Sequence, residues 1–118
     1  MMQSYRELEV YQKSYALTLQ IYRTARTFPR EEMFGLTSQI KRAAYSIPLN
    51  VAEGYGKKSS VNEFKRFIMM ALGSSDEMQV ILELCKDLEF IKQEQYEELS
   101  SEYERVGKML TRMLQVWK

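Results

Sequence analysis

Residues 39–59 read QIKRAAYSIPLNVAEGYGKKS, and the division of this run between apolar and polar positions decides the fold. At about 100° per residue, Ile40, Ala43, Ala44, Ile47 and Val51 share one face of a helix. Gln39, Arg42, Ser46, Asn50 and Glu53 fall on a neighbouring arc of about 80°. Pro48, in the middle, lacks an N–H and crowds the carbonyl of Ala44, at a cost of about 3 kcal/mol in an ordinary helix interior. Packing or a polar partner must compensate, and a kink is expected near Pro48. Gly54 and Gly56 are expected to stop the helix through the left-handed turn that glycine tolerates. Lys57 and Lys58 follow at the stop, where the negative end of the helix dipole favours cations.

The flanking sequence continues the same grammar. Ser4 with Glu7 has capping-box spacing and predicts a first helix that ends near Phe28 and Pro29, roughly 24 residues or about 36 Å long. Leu8, Tyr11, Tyr15, Thr18, Tyr22 and Ala25 form one stripe on it, and Val10, Leu17, Ile21 and Phe28 a second, so this helix has two neighbours to satisfy. A short connector over 30–34 carries Glu31 and Glu32, and the second helix runs from about Gly35 to Glu53. Ser60 with Glu63 makes another capping box and starts the third helix at Val61. Phe64, Phe67, Ile68, Ala71, Leu72, Ser75, Met78, Leu82, Cys85 and Leu88 keep helical spacing along it. Within that run, Gly73 beside Ser74 and Ser75 marks a point where a neighbouring helix would approach closely. From Gln93 a fourth helix places Tyr96, Leu99, Tyr103, Val106, Leu110, Met113 and Trp117 at alternating steps of three and four, a seam suited to a bundle or a subunit contact. Long helices joined by short connections predict an all-α, up-down-up-down antiparallel four-helix bundle, with residues 1–118 as a single domain.

Composition narrows the chemistry. The chain has 118 residues, 45% of them apolar, which supplies a core. No histidine is present, which removes the commonest general base, the common zinc motifs and the histidine-activated nucleophiles. Di-iron bundles built on Glu-x-x-His pairs are excluded with it. A carboxylate-only magnesium site among Glu53, Glu63, Asp76, Glu77 and Glu83 is the remaining metal alternative, and the expectation is no metal, no cofactor and no enzyme. A lone Cys85 fits a reducing compartment and sits on the apolar stripe. With no apolar run near the roughly 20 residues that cross a bilayer, and no hydrophobic signal core at the start, a cytoplasmic protein without membrane contact is expected.

The formal charge of +1 hides a polarised molecule. Residues 41–66 hold Lys41, Arg42, Lys57, Lys58, Lys65 and Arg66 against two acids, a net of +4, whereas residues 76–104 have a net of −8. Lys57, Lys58, Lys65 and Arg66 surround one interhelix turn, and Arg23, Arg26 and Arg30 near the end of the first helix are expected at that same end of the bundle. Such a patch would attract phosphates with salt-dependent affinity; the bland alternative is an ordinary solvated surface. Tyr55, beside the basic turn, is the tyrosine best placed by sequence to stack on a base. For the polar line two readings stand open. Gln39, Arg42, Ser46, Asn50 and Glu53 can bond across to Ser74 and Glu77, with Arg42 paired to Glu53 or Glu77, and so fix register; or they form a polar site for a ligand or partner.

Gln39, Arg42, Ala43, Ser46, Ile47, Asn50, Ala52, Glu53 and Gly54 also fit the pattern Q-x-x-R-A-x-x-S-I-x-x-N-x-A-E-G. Ser60, Glu63 and Phe64 fit a Ser-x-x-E-F start, and Ala71, Gly73, Ser74 and Glu77 fit A-x-G-S-x-x-E. In these motifs, and in its opening helix and Phe-Pro turn, the chain resembles the bacterial four-helix bundle proteins encoded in intervening sequences of 23S ribosomal RNA genes (S23-type). The accessory variability determinant of diversity-generating retroelements belongs to the same wider group. Asp76 departs from the pattern, where an apolar or small residue is expected. The resemblance implies a ring-shaped homopentamer associated with ribosomal RNA intervening sequences or with a reverse transcriptase. The expected function is a non-enzymatic oligomeric scaffold presenting a basic surface to RNA or DNA, the alternative a protein-interaction module.

Overall fold

A computed structural model describes residues 4–117. Four helices make the architecture: α1 (Glu9–Ala25), α2 (Leu36–Gly56), α3 (Val61–Asp87) and α4 (Gln93–Val116), with no strand among the described residues. Together they form a four-helix bundle about 44 Å long.

Cross-helix pairs fix the register. Thr18 meets Ala44 and Lys41 meets Tyr22 between α1 and α2; Ser46 meets Ser74 and Gly54 meets Phe67 between α2 and α3; Ser75 meets Tyr103 and Gln79 meets Ser100 between α3 and α4. Each consecutive pair therefore runs antiparallel. The stripe Ile40, Ala44, Ile47 and Val51 is fully buried, as are Phe64, Ile68, Met78 and Leu82 of α3 and Val106 and Leu110 of α4. Burying side chains of this size stabilises by about 1.5–3 kcal/mol each. The α4 seam is spent on this core: Leu99, Tyr103, Val106 and Leu110 are buried, and Trp117 stacks on Phe64 at 4.1 Å.

The first helix is shorter than its sequence predicts. Ser4 accepts a hydrogen bond from the Arg6 amide and caps only a 3-10 turn over Tyr5–Glu7. Leu8 then takes an extended conformation, because its side chain turns inward to the core, and α1 begins at Glu9. Its 17 residues span about 26 Å.

The second helix is longer: it ends at Gly56, as expected, but without the left-handed turn, and it does not stop at Gly54. α2 is helical through Pro48 and on through Gly54 to Gly56, and no glycine among the described residues has a positive φ. Gly54 is buried where α2 crosses α3: a Cβ there would lie 3.1 Å from Phe67 Cβ and 3.3 Å from the Phe64 carbonyl oxygen. This glycine permits close helix approach rather than a turn. At Pro48 the missing donor is answered from α1. Thr18 Oγ1 lies 3.1 Å from the Ala44 carbonyl oxygen that Pro48 leaves without an amide, and 2.7 Å from the Ser14 carbonyl oxygen. The Ala44 oxygen has the greater need of that hydroxyl proton.

At the far end of α3 the chain closes with a Schellman turn. The Phe90 amide donates to the Cys85 carbonyl at 2.8 Å and the Glu89 amide to the Lys86 carbonyl at 3.0 Å. Glu89 holds φ 64°, the left-handed position usually given to glycine.

Candidate nucleic-acid interface

Antiparallel helices separate what the sequence grouped. The turn between α2 and α3 lies at one end of the bundle, and the connection between α1 and α2 lies at the other, about 31 Å away along the 21 residues of α2. Arg23, Arg26 and Arg30 therefore do not join Lys57, Lys58, Lys65 and Arg66. The expectation of a single patch fails because consecutive interhelix turns alternate ends.

The two groups also differ in how their charge is held. At the α2–α3 turn, Arg66 makes a forked pair with Glu63 at 3.0 and 3.2 Å, and its guanidinium sits 4.5 Å from the Phe67 ring centre. The Arg66 hydrogen bonds hold the Glu63 carboxyl below the usual carboxylate range. Lys57 Nζ lies 3.9 Å from Glu53 and 5.7 Å from the Phe67 ring centre. Lys58 Nζ lies 3.9 Å over the Tyr55 ring, and Lys65 is half-buried. Glu63 is thus committed to Arg66, and only the Ser60 half of the capping box forms, with Ser60 Oγ accepting from the Glu63 amide at 3.2 Å. Tyr55 itself is buried, so it offers no stacking face.

At the α1–α2 end, Arg23, Arg26, Arg30 and Arg42 are exposed, and none enters an ion pair or side-chain hydrogen bond among the described residues. Lys41 is half-buried, its Nζ 5.0 Å from the Tyr22 ring centre. Tyr22 and Tyr45 are exposed nearby. A groove of about 250 Å³ between α1 and α2, lined by Tyr5, Tyr11, Tyr15, Tyr45, Pro48 and Leu49, lies further along the bundle, toward the opposite end. Of the two stripes on α1, Val10, Leu17, Ile21 and Phe28 are core; the other is buried at its ends, Leu8 and Ala25, and exposed between them at Tyr15 and Tyr22.

The polar line of α2 resolves into a short relay and three bystanders. Asn50 Nδ2 donates to the Ser46 carbonyl at 2.8 Å and to Ser46 Oγ at 3.0 Å, and Ser46 Oγ meets Ser74 Oγ at 2.8 Å across the helix pair. Gln39, Arg42 and Glu53 are exposed and lie outside it. The pairing of Arg42 with Glu53 does not form: eleven residues of helix separate them by about 16 Å. Glu77 is half-buried and takes no ion pair among the described residues, Arg42 included. Asp76 is exposed.

Sequence reasoning missed a surface on α3. Met69, Met70, Val80, Leu84 and Leu88 are exposed on the side of α3 turned away from the core. Gly73 lies among them with nothing within 4 Å of where its Cβ would be. The close approach expected at Gly73 therefore does not occur among the described residues. The signal was present as a second apolar stripe off the core period of α3.

Cys85 is fully buried, and desolvation, with the nearby Glu32 charge, pushes its thiol up to about 11. Among the described residues no three His, Cys, Asp or Glu side chains gather to hold a metal ion, and no helix is long and apolar enough to cross a membrane.

Comparison with known proteins agrees with the motifs. The family described as 23S rRNA-intervening sequence protein matches residues 6–112. A similar solved structure is the crystal structure of a protein of unknown function from the S23 ribosomal protein family of Bacteroides thetaiotaomicron VPI-5482. It is 27% identical, with a TM-score of 0.82 over 91% of this chain and 96% of that one. No curated protein matches the chain.

Proposed function

The chain belongs to the 23S rRNA-intervening sequence protein family, and from that premise we propose a non-enzymatic cytoplasmic scaffold that self-associates and presents a basic surface to RNA or DNA. One observation carries the reading: the bundle has two surfaces that nothing among the described residues covers. The outer face of α3 offers Met69, Val80, Leu84 and Leu88 without a partner helix. The α1–α2 end offers Arg23, Arg26, Arg30 and Arg42, exposed and outside any ion pair among the described residues. A second copy of the chain suits the first surface, and phosphates suit the second. A ring of five subunits is what the family resemblance implies, and such a ring needs head-to-tail contacts between two different patches of the chain.

Two measurements test this. Light scattering at micromolar concentration is expected to give a multiple of the chain mass, and a mass of one chain sinks the assembly. Fluorescence anisotropy with a structured RNA and a matched DNA duplex is expected to report binding that weakens steeply with salt. Absence of binding at low salt sinks the basic-surface half. The reading as a protein-interaction module, with a reverse transcriptase or another protein as partner, draws on the aromatic groove between α1 and α2. It predicts that charge reversal at Arg23, Arg26 and Arg30 leaves partner recovery unchanged.

A further inference from the structure

We propose that Phe34, with Arg26 and Arg30 earlier in the same connection, stacks an unpaired base of a single-stranded nucleic acid. The inference rests on the nucleic-acid reading above and names the form of the ligand and the residue that selects it.

The nine residues from Arg26 to Phe34 are tightly wound. Phe28 donates its amide to the Ala25 carbonyl at 3.1 Å, Met33 to the Arg30 carbonyl at 3.1 Å and Gly35 to the Glu32 carbonyl at 2.9 Å. Two phenylalanines sit in this connection and have opposite fates. Phe28 is buried, its ring 5.5 Å from that of Phe90, and anchors the connection to the α3–α4 turn. Phe34 is 93% exposed, so both ring faces are open. Exposed tyrosines elsewhere lie nearer half-covered, Tyr15 at 51% and Tyr45 at 42%.

Charge around the ring is arranged to match. Residues 23–42 hold Arg23, Arg26, Arg30, Lys41 and Arg42 against Glu31 and Glu32. Glu32 is turned inward, where Oε1 accepts the Leu36 amide at 3.2 Å and caps α2. That leaves Glu31 as the one exposed acid of the connection. The α3–α4 turn at the same end carries Asp87, Glu89 and Glu94 against Lys86 and Lys92, with Lys86 paired to Asp87, so phosphates favour the more basic α1–α2 side. An open aromatic face in the same nine-residue connection as two arginines outside any ion pair is the chemistry that takes a splayed base and its flanking phosphates. A duplex keeps its base faces stacked and gains only the phosphate contacts.

Anisotropy titrations of the full chain with labelled oligouridine and oligothymidine of about 12 nucleotides, and with a duplex of equal length, test the proposal. Both single strands are expected to bind more tightly than the duplex. Phe34→Ala is expected to weaken single-strand binding by about tenfold with an unchanged salt slope, and Phe34→Tyr to restore it. Arg26→Glu with Arg30→Glu is expected to weaken every ligand and flatten the slope. If the unaltered chain binds but Phe34→Ala binds equally well, the stacking site is wrong and the basic surface stands. If the unaltered chain binds nothing at low salt, the nucleic-acid reading fails and this site with it. If Phe34→Ala instead lowers the light-scattering mass, Phe34 is a protein contact and the proposal is overturned.

Discussion

Gly54 on α2 and Gly73 on α3 are both helix-interior glycines, and they have opposite surroundings. A Cβ on Gly54 would press on Phe67 and the Phe64 backbone at 3.1 and 3.3 Å. At Gly73 the same atom would meet nothing within 4 Å. An interior glycine costs a helix roughly 1 kcal/mol relative to alanine. At Gly54 the close α2–α3 crossing offsets that cost. Nothing among the described residues offsets it at Gly73, which sits among the exposed apolar residues of α3. A glycine explained by its own fold reports on packing; one that is not points outward, to what approaches the chain.

The largest effect is expected where the comparison is tightest. Gly54→Ala forces α2 and α3 apart, and overpacking of about 3 kcal/mol less the gain in helix propensity leaves a loss of about 2 kcal/mol. The melting temperature, followed by circular dichroism, should fall by about 10 °C. An unchanged melting temperature would mean the crossing is loose. Next comes Gly73→Ala, expected to stabilise the subunit by about 1 kcal/mol in urea titration. Its companion, Gly73→Leu, should fold equally well alone yet lower the light-scattering mass; if the mass holds, no copy approaches there. The smallest effect belongs to Glu89, where the backbone takes the glycine conformation without a glycine. Glu89→Gly relieves the left-handed strain and should add about 0.5 kcal/mol, since glycine also loosens the unfolded chain. A loss in the same titration would show that the Glu89 side chain holds the turn.

Much of this molecule was legible in the chain because helix periods and caps are local. Val61 and Gln93 begin α3 and α4 where Ser60 and the Tyr96 to Trp117 seam place them. The bundle follows from those periods. What escaped is what depends on distant partners. Leu8 breaks the first helix because its side chain is drawn to a core assembled by other segments. Gly54 looked like a stop because Phe64 and Phe67 become its neighbours only on folding. Arg23, Arg26 and Arg30 were assigned to the wrong end, although the expected topology already implied the right one. For the candidate interface, sequence gave the cations but not their availability. Arg66 is neutralised by Glu63 within its own helix, a pairing legible from the spacing of three. The commitment of Glu32 to α2, which leaves Arg26 and Arg30 without it, required the folded connection.

The solitary thiol of Cys85 offers a clock. It is sealed between α3 and the core and held protonated, so a thiol-reactive dye can reach it only while the bundle is open. Labelling rates across denaturant concentrations would then time the breathing of α3 against its neighbours. Run with and without oligonucleotide or at rising protein concentration, the same trace would reveal which association holds the bundle shut, with no probe to be engineered.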